Sequence, residues 1–264
     1  MKTLLITTAV SAILLSCNVK SENGFPLNIL PKEGTGIVKN REYKMNFDEI
    51  KVGQSISAEI VKSIEEKVVV TAPSDILDEI LVENIGGKLH IHFKPNRNIS
   101  ARNVGVKIFA KDFSAVEANS SADIKILDKF TQDKTAVRVS SSASISGDLE
   151  ANDLSIDVSS SGDFSGKIWA VNLISEATSS GDITISGKTK HADLKASSSG
   201  TLDASKVIAE NADTKASSSG TVRISVSNNL NSAASSSGDI EIIKKGNLNI
   251  LSKDENSGGS VSIN

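Results

Sequence analysis

Hydrophobic and polar residues alternate with a period of two along most of the chain beyond residue 36. Between residues 36 and 116 the alternation comes in short runs, of which Leu89, Ile91 and Phe93 form a clear example. Such alternation is typical of β-strands that bury one face. The dipeptide Gly86-Gly87 separates two of these runs and predicts a hairpin turn. We therefore expect residues 36–116 to form an irregular, N-terminal β-rich section.

The second half of the chain is a repeat with a period close to 20 residues. A motif of the type Ser-Ser-Ser-Gly returns at steps of 18 to 21 residues. Each copy is followed by apolar alternation such as Ile183-x-Ile185, and preceded by a run such as Leu194-x-Ala196. A period of this length is that of one solenoid coil. The Gly/Ala position of the motif is occupied by Ala122, Ala143, Gly162, Gly181, Gly200, Gly220, Gly238 and, in a degenerate last copy, Gly259.

These repeats predict an all-β fold, a right-handed parallel β-helix with about 20 residues per coil over residues 117–264. Coils stacked about 4.8 Å apart would place the isoleucines of successive coils on one another. Aromatic residues make up only 3% of the chain, and aliphatic columns of this kind would still give it a buried core. Serine and glycine suit the corners because they are small and tolerate unusual backbone angles.

The N-terminus has the layout of a bacterial lipoprotein signal peptide. Lys2 precedes an apolar stretch from Leu4 to Leu15, which is too short to span a bilayer core about 30 Å thick. Cys17 is the single cysteine, and the ending Leu14-Leu15-Ser16-Cys17 resembles a lipobox, in which the cysteine becomes the lipidated N-terminus. An ordinary signal peptide with an incidental cysteine is the alternative.

The signal predicts both a domain plan and a location. Residues 1–16 would be removed, residues 17–35 would form a tether interrupted by Gly and Pro, and residues 36–264 would form the solenoid domain. Several acyl chains on Cys17 would hold the protein firmly on a membrane. We expect a cell-envelope protein, an outer-membrane lipoprotein with a periplasmic or a surface face.

Charge and cysteine content exclude several classes of function. Lys and Arg number 29 against 32 Asp and Glu, for a net charge of −3, and no basic run is present, which excludes nucleic acid as a partner. One cysteine supports neither an internal disulfide framework nor a cysteine-rich zinc site.

Four features together resemble one bacterial family. They are the lipobox, the segment Phe47-Asp48-Glu49-Ile50-Lys51-Val52, the Ser-Ser-Gly-Asp/Thr repeats and the closing Val261-Ser262-Ile263-Asn264. The family is that of the putative auto-transporter adhesin, head GIN domain, common in Bacteroidetes, and the resemblance covers about residues 36–264. It implies a β-solenoid in an exported, cell-envelope setting, and it supplies no catalytic residues.

Two groups of side chains are candidate ion ligands. His90 and His92 lie two apart and therefore share one strand face; an H-x-H pair can bind a metal, but we expect a solvent-facing pair opposite Leu89, Ile91 and Phe93, with no bound metal or cofactor. The residue after each Gly/Ala forms a ladder along the corners. Its carboxylates could be bridged by Ca²⁺, but solvated turn residues are the preferred interpretation. The acidic members of the ladder are Asp123, Asp163, Asp182 and Asp239.

No convergent acid–base set is visible, so we expect no catalytic residues and no enzyme. Trp169 and Tyr43 are the only Trp and Tyr, and Trp169 is expected to be packed rather than to act as a lone sugar contact. The preferred function is a non-catalytic, adhesin-like binding module with a glycan or protein ligand of the envelope. A periplasmic structural or envelope-stress scaffold or sensor is the alternative, and a glycan-active β-helix enzyme is a third.

Overall fold

The computed structural model describes residues 31–264, and within it Lys32–Asn264 form one compact unit. Cys17 and the signal segment therefore lie outside the described residues. In this part of the chain the secondary structure is β throughout, apart from one 3₁₀ turn at Leu77–Glu79. No helix in it is long and apolar enough to cross a membrane. The all-β prediction is confirmed.

Strands are numbered in chain order. Those of the N-terminal section are β1 (Val38–Lys44), β2 (Glu49–Val52), β3 (Ser57–Lys62), β4 (Lys67–Pro73), β5 (Ile80–Ile85), β6 (Lys88–Phe93), β7 (Gly105–Ala110) and β8 (Ala115–Ala118). Those of the repeats are β9 (Asp123–Val139), β10 (Ser144–Val158), β11 (Asp163–Ala177), β12 (Asp182–Ala196), β13 (Thr201–Ala216), β14 (Thr221–Ala234), β15 (Asp239–Lys244), β16 (Asn249–Glu255) and β17 (Ser260–Ile263).

The repeats form the predicted parallel β-helix. Each of the strands β9 to β13 pairs in parallel with the next, one coil further on. Between β9 and β10 the pairing omits Asp148 and Asn152, so in this coil the strand is interrupted twice. One buried column runs through the first segment of every coil, each member in register with the next and at most 4% exposed: Ile124, Ile145, Phe164, Ile183, Leu202, Val222, Ile240 and Val261.

The serine-rich motifs form the corners. At seven corners of the described chain, two successive serines have positive φ, between 49° and 64°. This left-handed conformation costs a non-glycine residue on the order of 1 kcal/mol. Main-chain hydrogen bonds offset the cost: the N–H of Gly162 donates to the carbonyl of Ser159 at 2.9 Å, and the N–H of Ser161 donates to Ser179 of the next coil at 3.2 Å.

The N-terminal section stacks on the first coil and continues its sheets. β2 lies between β6 and β8 with parallel pairing to both, and β8 pairs in parallel with β9. On the other side, β3 pairs in parallel with β7 and β9. The hairpin predicted at Gly86-Gly87 joins β5 to β6, and both glycines have positive φ. The expected irregularity comes from antiparallel pairs, such as β1 with β4.

Candidate functional site

A cleft of about 520 Å³ opens where the N-terminal section meets the first coils. Its walls come from residues 48, 112–114, 131–134, 151–152 and 169; we call it the Trp169 cleft. The residues are far apart in the sequence and meet because β8 pairs with β9 and each coil stacks on the one before.

Trp169 projects outward from β11. Ile168 and Ala170, on either side of it, are buried, so the alternation of the strand sends the indole to the surface. The residue is 44% exposed, which differs from the expected packed position. The sequence pattern Ile168-x-Ala170 already indicated that Trp169 is exposed, because a residue between two buried neighbours on a strand faces away from the core.

Besides Trp169, one aromatic residue, Phe113, lines the cleft, and most of the other lining residues are polar. Phe113 packs on Phe130, with ring centroids 4.9 Å apart, and both are almost fully buried. On the walls, Asn152 Nδ2 donates to Asp133 Oδ1 at 3.1 Å, and the hydroxyl of Ser114 donates to the Asp48 carboxylate. These bonds leave the second oxygen of each carboxylate for other donors.

Gln132 carries an unused donor in the wall of the cleft. Its Oε1 accepts a hydrogen bond from Thr135 Oγ1 at 2.8 Å. Its Nε2 is buried and has no hydrogen-bond partner among the described residues. A buried polar group of this kind is uncommon and costs free energy until it is paired, and a ligand reaches this donor only if the Gln132 side chain turns toward the cleft.

Glu150 lies beside Trp169, directly in register with it. It receives hydrogen bonds from Lys129 and, at 3.1 Å, from Thr131 Oγ1. The bond from Lys129 is the main reason that the pKa of Glu150 lies below its ordinary value, although partial desolvation opposes it. The indole is therefore flanked by a carboxylate that stays charged near neutral pH.

The predicted turn ladder forms a continuous column in the order Asp123, Ser144, Asp163, Asp182, Thr201, Thr221, Asp239 and Ser260. Hydroxyls pair with two of its acids at 2.6 Å, Ser144 with Asp123 and Ser260 with Asp239. Asp163 and Asp182 are direct neighbours. Partial burial, followed by the charge of Asp182, raises the pKa of Asp163. Ion binding by the ladder stays untested.

His90 and His92 lie on the expected face of β6, half-buried, while Leu89, Ile91 and Phe93 are buried on the other. Their rings stack with centroids 4.0 Å apart. Partial burial and, second, the neighbouring His92 hold the pKa of His90 below its ordinary value. Glu83 joins them from β5, in register with His90; the sequence reasoning missed it, although the hairpin at Gly86-Gly87 fixed that register.

Comparison with known proteins connects the chain to one family and one fold. The profile of the family "putative auto-transporter adhesin, head GIN domain" matches residues 46–168 and 147–246. A search of curated proteins returns no match.

Three solved structures are similar over most of their length. A putative lipid binding protein from Parabacteroides distasonis is 23% identical, with a TM-score of 0.77 over 89% of this chain and 99% of that one. A putative adhesin from the same species is 20% identical, with a TM-score of 0.81 over 88% and 99%. A putative adhesin from Parabacteroides merdae is 18% identical, with a TM-score of 0.80 over 88% and 98%. These likenesses establish the fold alone.

Proposed function

The chain belongs to the family of the putative auto-transporter adhesin, head GIN domain, and from this premise we propose that it is a non-catalytic, adhesin-like binding module of the bacterial cell envelope. The observation that carries the proposal is the Trp169 cleft. It combines an exposed indole, charged and amide side chains, and one buried donor without a partner.

The chemistry of the cleft favours a carbohydrate ligand. A sugar ring has an apolar face, which can lie on an indole, and an edge of hydroxyl groups, which need donors and acceptors. The indole of Trp169 supplies the flat apolar surface. The carboxylates of Asp48 and Asp133 supply acceptors, and the exposed ammonium of Lys134 supplies a donor.

The close packing of the core favours a ligand-binding site on the surface over one inside the coils. Buried apolar side chains fill the interior of the coils, among them the column from Ile124 to Val261, whose members are at most 4% exposed. A ligand with long acyl chains would need an apolar cavity of comparable length. The name of one structural relative, a putative lipid binding protein, is therefore less well matched by this chain than a polar ligand held at the surface.

Membership of the adhesin family supports a location in the cell envelope, and the N-terminal sequence supports anchoring by a lipid. In our proposal residues 1–16 are removed, Cys17 carries the lipid, residues 17–35 form the tether and residues 36–264 present the site. One cleft per chain would bind weakly, and many copies on one outer membrane would bind together with a much higher avidity.

The test is a substitution of the indole with a matched control. The purified protein, displayed on beads at a fixed density, is screened against bacterial polysaccharides and mucin-type glycans. We expect Trp169→Ala to lose at least about fivefold in apparent affinity, since an aromatic contact with a ligand commonly contributes about 1 kcal/mol or more. Ile208→Ala is the control, because Ile208 is 42% exposed and lies two coils further along the same outer column.

Three outcomes would overturn parts of the proposal. Equal binding by wild type and Trp169→Ala would remove the cleft from the function. Hydrolysis of any bound glycan by the wild type would make the chain a glycan-active enzyme. Resistance of the protein to protease on intact cells, with sensitivity after the outer membrane is opened, would favour a periplasmic scaffold over a surface adhesin.

A further inference from the structure

Glu83, His90 and His92 form a cluster at the β5–β6 hairpin. His90 and His92 project from one face of β6, and Glu83 lies directly opposite His90 on β5. One side-chain nitrogen or oxygen from each lies within 4.8 Å of the other two. Within residues 31–264, this is the one group of three such side chains. We call it the hairpin cluster.

The hydrogen bond of His92 to the main chain fixes the proton on that ring. His92 Nδ1 lies 2.8 Å from the carbonyl oxygen of Phe93. A carbonyl oxygen can only accept, so Nδ1 carries the hydrogen and, in the neutral ring, Nε2 carries a lone pair.

The lone pair on Nε2 faces an acceptor. Nε2 lies 3.1 Å from Glu83 Oε2, and a carboxylate oxygen is also an acceptor. Two acceptors at this distance repel each other unless a cation is shared between them. The cation is either a proton on His92 or a metal ion bound by both groups.

The Glu83–His92 pair has the spacing of two ligands on one metal ion, whereas the His90 ring is stacked on His92 with nearly parallel planes 20° apart and has to turn about its χ2 angle to point a nitrogen at the same ion. Zinc binds imidazole nitrogen and carboxylate oxygen at about 2.0–2.2 Å, so two ligand atoms on a tetrahedral ion lie about 3.3 Å apart. The separation of 3.1 Å between Glu83 Oε2 and His92 Nε2 is close to this value. In addition, metal-bound histidines usually donate their other ring N–H to a backbone carbonyl or carboxylate, as His92 does to Phe93.

We propose that Glu83, His90 and His92 bind a Zn²⁺ ion, with a fourth position open to water or to a group from a ligand. Two imidazoles and one carboxylate suit zinc, whereas Ca²⁺ and Mg²⁺ prefer oxygen ligands alone. From the two histidines alone, the sequence predicted a solvent-facing pair without a metal. The hairpin places Glu83 opposite His90, and this third ligand changes that expectation.

The surrounding charges allow a cation here. The nearest strand, β2, places Lys51 in register with His90. Lys51 is not a free positive charge, because its Nζ lies 2.6 Å from Glu117 Oε1. Lys88 likewise lies 3.2 Å from the same carboxylate and 3.6 Å from Glu49. The local balance of charge therefore does not repel a divalent ion.

A bound ion would cross-link strands β5 and β6. Glu83 is on β5 and both histidines are on β6, so a bound ion cross-links the two strands of the hairpin at its exposed edge. Anything that binds only the folded state stabilises it by mass action. A bound metal should therefore raise the melting temperature of the protein as well as change its spectrum.

The experiment is a titration of the purified protein with zinc after treatment with a chelator. We expect one ion per chain with a Kd of about 1 µM or tighter, measured by calorimetry. Glu83→Gln and His92→Gln should each weaken binding by at least about tenfold. His191→Gln is the control. It changes the third histidine of the chain, which lies on β12 outside the hairpin cluster, and should bind as the wild type does.

A second readout uses Co²⁺ in place of Zn²⁺. Four-coordinate Co²⁺ gives a strong visible absorption, which should appear in the wild type and in His191→Gln, and be lost in Glu83→Gln. Glu83 is exposed at the edge of the fold, so that variant keeps the core intact, as circular dichroism can check. Absence of saturable zinc binding in the wild type, or unchanged binding in Glu83→Gln and His92→Gln, would overturn the proposal and leave a shared proton between His92 and Glu83.

Discussion

The glycine that follows the serine corner sets how closely two coils can approach. At Gly200 an added Cβ would lie 2.3 Å from the carbonyl oxygen of Ala177 and 2.5 Å from its carbonyl carbon. The φ of Gly200 is not positive, so alanine is acceptable to its own backbone. The obstacle to Gly200→Ala is the main chain of the preceding coil, which cannot turn aside as a flexible side chain could.

The expected cost of Gly200→Ala follows from two opposing effects. A Cβ in ordinary contact lies at least 3.4 Å from its neighbours, so the overlap at Gly200 is about 1 Å, and overpacking of this kind costs about 1–3 kcal/mol. Gly→Ala also removes freedom from the unfolded chain, which stabilises the fold by about 0.4–1 kcal/mol. We expect Gly200→Ala to lower the free energy of unfolding by about 1–1.5 kcal/mol, or the melting temperature by about 2–6 °C.

Gly162→Ala is the matched control for this substitution. It occupies the same corner position, and its added Cβ would meet Val139 and Ser159 oxygens at 3.0 and 3.1 Å. A shift of a few tenths of an ångström relieves that contact, so the two effects should nearly cancel. The sequence agrees, since the two preceding corners already carry alanine at this position, Ala122 and Ala143.

The assay is urea unfolding followed by far-UV circular dichroism, with thermal melting as a second measure. A solenoid can unfold in more than one step, so the comparison uses the midpoints of the two variants under identical conditions. Equal midpoints for Gly200→Ala and Gly162→Ala would refute the reasoning, because main-chain contact at the corner would then not limit the spacing of the coils.

Three further predictions concern the anchor, the core and the turn ladder. Cys17→Ser should move the protein from the membrane to the soluble fraction and abolish incorporation of labelled fatty acid; an unlabelled wild type would exclude the lipoprotein. Ile183→Asp should lower the free energy of unfolding by about 3 kcal/mol or more, against less than about 0.5 kcal/mol for the exposed Lys188→Ala, and similar small losses in urea would contradict the buried column. The pKa of Asp163 is higher in the folded protein than in the unfolded chain. The protonated carboxyl therefore stabilises the fold fully below its ordinary pKa of about 3.9, and this stabilisation is lost as the pH rises through the pKa that Asp163 has in the folded protein. Asp163→Asn should therefore melt at a higher temperature than wild type at pH 7, with a gain that fades in acid; the control is Asp239→Asn, because its ladder neighbours Thr221 and Ser260 carry no charge.

The register of the coils could be predicted from the sequence because one corner of each coil is marked by the serine motif. In the described part of the chain, seven corners carry a serine pair with positive φ followed by a small residue, one for each coil, so the spacing of the motifs gives the spacing of the coils. The buried column containing Ile183 follows from the same alternation. The hairpin at Gly86-Gly87 could likewise be predicted, because two glycines between apolar runs form a local turn.

The site depended on contacts that no local pattern contains. The Trp169 cleft needs Asp48 and Trp169 to meet through the stacking of the N-terminal section on the coils. The amide column on the outside was also missed: Asn229 Nδ2 donates to Asn211 Oδ1 at 2.7 Å, and Asn249 Nδ2 to Asn229 Oδ1 at 3.2 Å. Single asparagines are common at turns, and they form a ladder only once the coils are stacked.

The direction of the hydrogen bonds between coils has a mechanical consequence. These bonds run along the axis of the solenoid, perpendicular to the strands, so a pull along the axis opens them one after another and not all at once. One coil holds 19 residues between Asp163 and Asp182, and its release would lengthen the chain by about 60 Å. A molecule built in this way lengthens under tension by one coil at a time.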